Sequence, residues 1–339
     1  MSRPPVALAS LGGTITMTGN GSGGVRPSLT AADLVSAVPG LAEAADLAVT
    51  TLATAPGASL GAADMRRCLA WAGDAVRAGA AGAVVVQGTD TIEETAYFLD
   101  LHWDREEPLV VTGAMRNPTA PGPDGPANLY AAVTTAADPA SRGLGALVVL
   151  NDTVHAACRV RKIHTSAVQA FASPGFGALG HLFEGGVHYG NPVPRHPALP
   201  LPPEDRPRPR VAMVETCFDD DGALLAHATA EYDGVVLAGF GVGHVPAALA
   251  ETVSAARVPV VLASRTGAGS TACRTYGFPG SERDLIARGA IPAGFLDARK
   301  SRILLGSLLA LGVPRERLRA EFAARGAGAP GSTVGCESG

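Results

Sequence analysis

Short apolar runs closed by glycine or proline recur along the chain at residues 6–11, 48–53, 83–86, 108–112 and 146–150. Between several of them lie longer stretches, such as 65–78 and 91–101, whose apolar residues recur at helical spacing. A run of four to six apolar residues is strand length, and one without polar alternation suits a strand buried on both faces. Such strands alternating with helices predict a mostly parallel sheet with helices on both faces. The alternation stops between 193 and 210, where Pro194, Pro197, Pro200, Pro202, Pro203, Pro207 and Pro209 crowd among arginines. Proline at that density suits neither a helix nor a central strand, so a linker is expected. The pattern then resumes, with apolar runs at 211–214, 234–238 and 258–263 and helical stretches near 224–230, 246–256, 282–288, 299–311 and 315–324. The expected fold is α/β: a larger N-terminal domain over 1–193, a Pro/Arg-rich linker over 194–210 and a smaller C-terminal α/β domain over 211–325. The Gly-rich tail, 326–339, is expected to be disordered.

A chain of 339 residues can bury enough surface to hold two domains together without metal or disulfide staples. Its 31 acids and 27 bases leave a formal net charge of −4 and form no basic stripe, which disfavours a nucleic-acid partner or an anionic membrane surface. The five cysteines, Cys68, Cys158, Cys217, Cys273 and Cys336, include no C-x-x-C pair and read as thiols that pack like small apolar residues. The first apolar run is too short for a secretory signal core. No run approaches the roughly 20 residues of a membrane-spanning helix, so a soluble, cytoplasmic protein is expected.

In an open α/β sheet, ligands bind where strands end and loops lead into helices. The first such place is Gly12-Gly13-Thr14, where paired glycines let the backbone approach a ligand and leave a hydroxyl beside it. The same residues also make an ordinary turn. Neither a phosphate loop nor a dinucleotide fingerprint is present there. The second place is Gln87-Gly88-Thr89-Asp90-Thr91, after the run 83–86. Thr91 with Glu94 fits a capping box, and backbone N–H groups at a helix start can hold a carboxylate or a developing oxyanion. Thr89 and Asp90 read equally as cap residues or as a nucleophile and its orienter. The third place contains Lys162, one of only two lysines among the 27 bases; the other is Lys300. Where arginine has replaced nearly every exchangeable lysine, a retained lysine points to something arginine cannot do. A desolvated lysine amine can lose its proton near neutral pH, whereas a guanidinium stays charged. Thr89, Asp90 and Lys162 then make a general-base set in which Lys162 takes the hydroxyl proton.

These residues carry a resemblance. Gly12-Gly13-Thr14-Ile15, Gly88-Thr89-Asp90-Thr91 and Lys162-Ile163-His164-Thr165-Ser166-Ala167, with Phe171, Ser173, Pro174 and Gly180 beyond, look like the bacterial-type L-asparaginase family. So do Gly125-Pro126-x-Asn128-Leu129, Ser264-Arg265-x-Gly267 and Gly294-Phe295-Leu296-Asp297-x-x-Lys300-x-Arg302. The motifs stand in family order from about residue 6 to residue 315. The resemblance implies two α/β domains, a homodimer or homotetramer, L-asparagine as substrate, and neither metal nor organic cofactor. It makes Thr14 the nucleophile and Thr89, Asp90 and Lys162 the second catalytic set. Ser59, Gly88, Thr89 and Asp90 become substrate-binding residues, and His244 either joins them from a neighbouring subunit or is a loop histidine with no ligand role. Lys300 is expected in a structural ion pair.

The chain also departs from the family pattern. Residues 15–47 contain no tyrosine, although family members often use one in the lid after the first threonine. Either another group or water activates Thr14, or Tyr276 arrives across an interface. The lid candidate, 16–27, is rich in glycine (Gly19, Gly21, Gly23, Gly24) and is expected to close over substrate. The usual Ser-Gln pair reads Ser59-Leu60, the Gly-x-Gly-Asn loop reads Gly241-Val242-Gly243-His244, and no acid occurs from 264 to 281. Competing readings are a glutaminase, an asparaginase-like subunit of a tRNA-dependent amidotransferase, and a catalytically weak amino-acid-binding protein.

Overall fold

A parallel sheet built around the fully buried run Ala83-Val84-Val85-Val86 organises the first half of the molecule. The computed structural model of the chain describes residues 3–19, 25–191, 193, 195–205 and 207–328. It divides into two compact units, Met1–Leu199 and Pro200–Gly339, and the division falls inside the proline-rich stretch. Residues 329–339 of the expected tail, and residues 20–24 of the lid candidate, lie outside the described residues.

In the first unit the strands are β1 (Pro5–Gly12), β2 (Met17–Gly19), β3 (Val25–Pro27), β4 (Asp46–Ala55), β5 (Gly82–Val86), β6 (Leu109–Thr112), β7 (Ala146–Leu150) and β8 (Thr153–Ala156). They are followed by β9 (Arg161–Lys162), β10 (Phe171–Ala172), β11 (Gly180–Phe183) and β12 (Gly186–Tyr189). Eight of them form one sheet in the order β12-β11-β8-β7-β6-β5-β1-β4. The pairings from β4 through β7 are parallel, as the unbroken apolar runs predict. The expectation missed an antiparallel extension, β8, β11 and β12, whose four-residue strands are less apolar. Two antiparallel ribbons stand apart, β2 with β3 and β9 with β10.

The helices of this unit are α1 (Ala31–Ser36), α2 (Leu41–Ala44), α3 (Ala62–Arg77), α4 (Ile92–His102) and α5 (Gly125–Ala137). Side chains alternate across a strand, and here Val6, Leu8, Val84, Val86 and Val110 pack with Leu34 of α1 and Leu129 and Val133 of α5. Val85 and Val111, pointing the other way, are equally buried, with α3 and α4 packed over that face. The motif around Asn128 is structural. Asp124 accepts the N–H groups of Met115 and Arg116 at 2.9 Å each, and Asn128 Nδ2 donates to Gly113 O at 2.9 Å, which ties the loop after β6 to α5.

The second unit holds β13 (Val211–Glu215), β14 (Gly234–Gly239), β15 (Val260–Ser264) and β16 (Ile291–Pro292), all parallel and in sequence order. Its helices are α6 (Ala223–Glu231), α7 (Ala247–Ala255), α8 (Glu282–Ala287), α9 (Ala298–Ala310) and α10 (Arg315–Arg325). Val235, Leu237 and Leu262 meet Leu225, Leu249, Val253 and Leu285 in one core. Lys300 is 1% exposed, and its Nζ pairs with Asp297 Oδ2 at 2.8 Å. Asp297 also caps α9 by accepting the N–H groups of Arg299 and Lys300. The second lysine is therefore a helix-start ion pair, as expected.

Cys68, Cys158 and Cys217 carry free thiols, and burial pushes that of Cys68 up to about 12. Cys273 is disulfide-bonded, which corrects the expectation of thiols throughout. Among the described residues no helix is long and apolar enough to cross a membrane.

Candidate active site

The chain passes from β1 to β4 on one side of it and then returns to β5 on the other, so the strand order reverses at β1. A crevice opens at the carboxyl ends of the strands at such a point. Three loops leave there: the 3₁₀ turns Thr14–Thr16 after β1, Gly57–Ser59 after β4 and Thr89–Thr91 after β5.

Glycine brings these loops into backbone contact. A Cβ on Gly13 would run into the main chain of Gly88, one on Gly57 would lie 2.9 Å from Gly88 O, and one on Gly88 would lie 2.8 Å from Gly57 N. Gly12 and Gly13 also hold φ of 103° and 88°, a region costly for any residue with a Cβ. Thr14 and Thr89 each follow one of these touching glycines, so the two candidate hydroxyls leave abutting backbones.

Thr91 does not form the expected capping box; its side chain makes no cap bond. Its hydroxyl instead donates to Gly57 O at 3.0 Å and accepts from Gln87 Nε2 at 3.2 Å. The bond that would have capped the helix joins the β4 and β5 loops. Thr16 closes its own turn, with Oγ1 donating to Gly13 O at 2.8 Å.

The third segment reaches the β5 loop from 72 residues away in sequence. Lys162 Nζ donates to Thr89 Oγ1 and to Asp90 Oδ1, both at 3.0 Å. Thr89 is buried at 5% exposure, the Lys162 side chain is 17% exposed and that of Asp90 is 65% exposed. A hydroxyl sheltered on the protein side is thus linked through an amine to a carboxylate open to solvent. Ser59 stands exposed on the Gly57 turn, and Gly88 is buried. Among the described residues no group of three or more His, Cys, Asp or Glu side chains is arranged to hold a metal ion.

His244 belongs to the second unit. Its Nε2 lies 3.1 Å from Glu282 Oε2, and its ring meets Tyr276 and Phe278 edge-on, with centroids 4.7 and 5.0 Å away. The Glu282 side chain is fully buried and accepts the N–H groups of Thr275 and Tyr276 at 2.9 and 2.8 Å. The stretch from 264 to 281 has no acid of its own; Glu282, next in sequence, serves it from α8. Sequence reading also missed Glu93, whose Oε2 accepts the Lys162 main-chain N–H at 2.8 Å. Its signal was an acid placed one turn ahead of Ala96 and Tyr97, on the buried side of α4.

Similarity to known proteins follows the whole chain. Residues 5–195 match the family described as Asparaginase, N-terminal, and residues 210–322 match the Glutaminase/Asparaginase C-terminal domain. The probable L-asparaginase of Deinococcus radiodurans is 38% identical over 326 residues, covering 95% of this chain and 98% of that protein. L-asparaginase 2 of Escherichia coli is 34% identical over 322 residues, covering 90% and 88%. Among solved structures, the probable cytoplasmic L-asparaginase from Campylobacter jejuni superposes with a TM-score of 0.83 at 29% identity, covering 94% of this chain and 99% of that one. With both domains matched and relatives aligned nearly end to end, the chain belongs to the bacterial-type L-asparaginase family of enzymes.

Proposed function

We propose that the protein hydrolyses the side-chain amide of L-asparagine to L-aspartate and ammonia through an acyl-enzyme on Thr14. The observation that carries the chemistry is the Lys162 amine, 3.0 Å from both the Thr89 hydroxyl and the Asp90 carboxylate. That distance is within proton-transfer reach. Thr14 Oγ attacks the amide carbon, ammonia leaves with the nucleophile's proton, and water then cleaves the ester. The Lys162 amine takes a proton through the Thr89 hydroxyl, and Asp90 orients the amine. Backbone N–H groups of the Thr89 turn face the developing oxyanion. Asp90, the exposed member, also receives the substrate α-ammonium, and Ser59 with Gly88 holds its carboxylate end. His244 is assigned to substrate binding from a neighbouring subunit of a homodimer or homotetramer. Substrate and water supply every atom of the products. The cytoplasmic assignment of the Campylobacter relative supports the same location here.

Leu60 stands where family members carry glutamine beside the serine. Each lost polar or charged contact to a charged substrate costs on the order of 1.5–3 kcal/mol, so ground-state binding is expected to be weak. The test is ammonia release from asparagine and from glutamine by the purified protein. Release from neither amide overturns the proposal, preference for glutamine reassigns the substrate, and a Michaelis constant in the low micromolar range overturns the weak-binding expectation.

A further inference from the structure

The strand that carries Lys162 is poorly anchored by its own sheet. β9 has two residues and pairs with the equally short β10 in a separate ribbon, so it borrows no stiffness from the eight-stranded sheet. A lysine side chain adds four flexible carbons to that base. Yet the amine sits at hydrogen-bond distance from two partners on another element.

The structure supplies an anchor at the other end of the residue. The Lys162 main-chain N–H points away from the β10 ladder and donates to Glu93 Oε2 at 2.8 Å. Glu93 is 4% exposed and stands in the first turn of α4. The 3₁₀ turn of Thr89 and Asp90 runs directly into that helix. Thr89, Asp90 and Glu93 therefore belong to one continuous helical stretch that grips Lys162 at three points, two on the amine and one on the backbone. A buried carboxylate is costly unless its oxygens are bonded, and the first turn of a helix is where a negative charge is best tolerated.

We infer that Glu93 is a positioning residue for the acid–base set: its buried carboxylate accepts the Lys162 main-chain N–H and so fixes the amine against Thr89 and Asp90. It does not touch substrate. The inference rests on the role proposed above for Lys162. Releasing the anchor lets the ribbon drift, and a misplacement near 1 Å costs on the order of 10²-fold in rate.

The experiment compares full-length wild type with Glu93→Ala, Glu93→Gln, Glu93→Asp and Lys162→Met, measuring kcat, KM and Tm for asparagine hydrolysis. Glu93→Ala is expected to lose on the order of 10- to 100-fold in kcat with KM within about threefold, because the loss falls on the chemical step. Glu93→Gln keeps an oxygen that accepts the N–H and is expected to restore kcat to within about threefold of wild type. A Glu93→Ala enzyme with lower Tm but unchanged kcat per folded molecule overturns the inference, as does a Glu93→Gln enzyme as slow as Glu93→Ala. Should Glu93→Ala fail to fold, Glu93→Asp decides, since it keeps the charge and withdraws the oxygen by one methylene. Reduced kcat supports the anchor, and wild-type kcat overturns it. Retained activity in Lys162→Met sinks the parent reading itself, whereas an inactive Lys162→Met beside an unaffected Glu93→Ala sinks only the anchor.

Discussion

Lys162 and Lys300 each pair with an aspartate at ordinary ion-pair distance, 3.0 and 2.8 Å, but their settings differ. Lys300 meets Asp297 three residues away at the start of a helix, and the pair is sealed from solvent, with side-chain exposures of 1% and 10%. Lys162 crosses 72 residues to reach Asp90, shares its amine with a buried threonine hydroxyl, and leaves the carboxylate in water. The first pair closes a helix end. The second links a buried hydroxyl, through one amine, to a carboxylate open to solvent, the arrangement that the proposed chemistry uses. Rarity of lysine picked out both positions; only the neighbour of each amine separates scaffold from chemistry.

The largest effect should fall on Lys162. Lys162→Met and Thr89→Val are each expected to lower ammonia release by on the order of 10²- to 10⁴-fold while the circular dichroism melt stays near wild type. Lys162→Arg should be no better, because a guanidinium does not give up its proton. Substantial activity in Lys162→Arg would erase the contrast between the two lysines.

The mirror experiment is Lys300→Met. Removing one partner of a buried pair is strongly destabilising, and a loss of about 3–5 kcal/mol in folding free energy is expected, read by urea unfolding. Activity per folded molecule should be unchanged. If kcat falls instead, the scaffold assignment is wrong.

A smaller effect separates titration that serves stability from titration that serves catalysis. Burial, with a lesser contribution from His181, pushes His155 down to about 4, from 6.5 for a free imidazole. Between these values the unfolded chain binds a proton that the folded chain refuses. Stability is therefore fully present above about pH 6.5 and falls as pH drops toward 4, by up to about 3 kcal/mol from this group. Urea midpoints across that window should show a shallower slope in His155→Asn; an unchanged slope would remove His155 from the account.

The smallest effect concerns a helix start where a hydroxyl does cap. Thr30 accepts the N–H of Asp33 and Asp33 returns the bond, so Thr30→Ala should cost about 1 kcal/mol with no change in ammonia release per folded molecule. Thr91, a cap by sequence pattern, works instead as a strut between loops. A larger kinetic than stability effect in Thr91→Val would confirm that division.

The parallel core was legible because Val84, Val85 and Val86 of β5 leave no polar face, and Ala146–Leu150 of β7 announces itself in the same way. The antiparallel edge was hidden because His155, His181 and His188 interrupt the apolar signal in strands of four residues. Thr89, Asp90 and Lys162 could be named from residue type, scarcity and family pattern, and their convergence is a property of the folded chain. Glu93 and Glu282 escaped notice because each accepts main-chain N–H groups of a distant or looping segment, and such bonds leave no mark in a sequence.

The contact among Gly13, Gly57 and Gly88 also bears on how the enzyme can change. Where main chain rests on main chain, the spacing of three loops is set by atomic radii, with no rotamer left to adjust. That junction offers evolution and the engineer almost no alphabet. Variation is easier beside it, at positions such as the exposed Ser59 and the partly exposed Leu60, where a different side chain leaves the glycine contacts untouched.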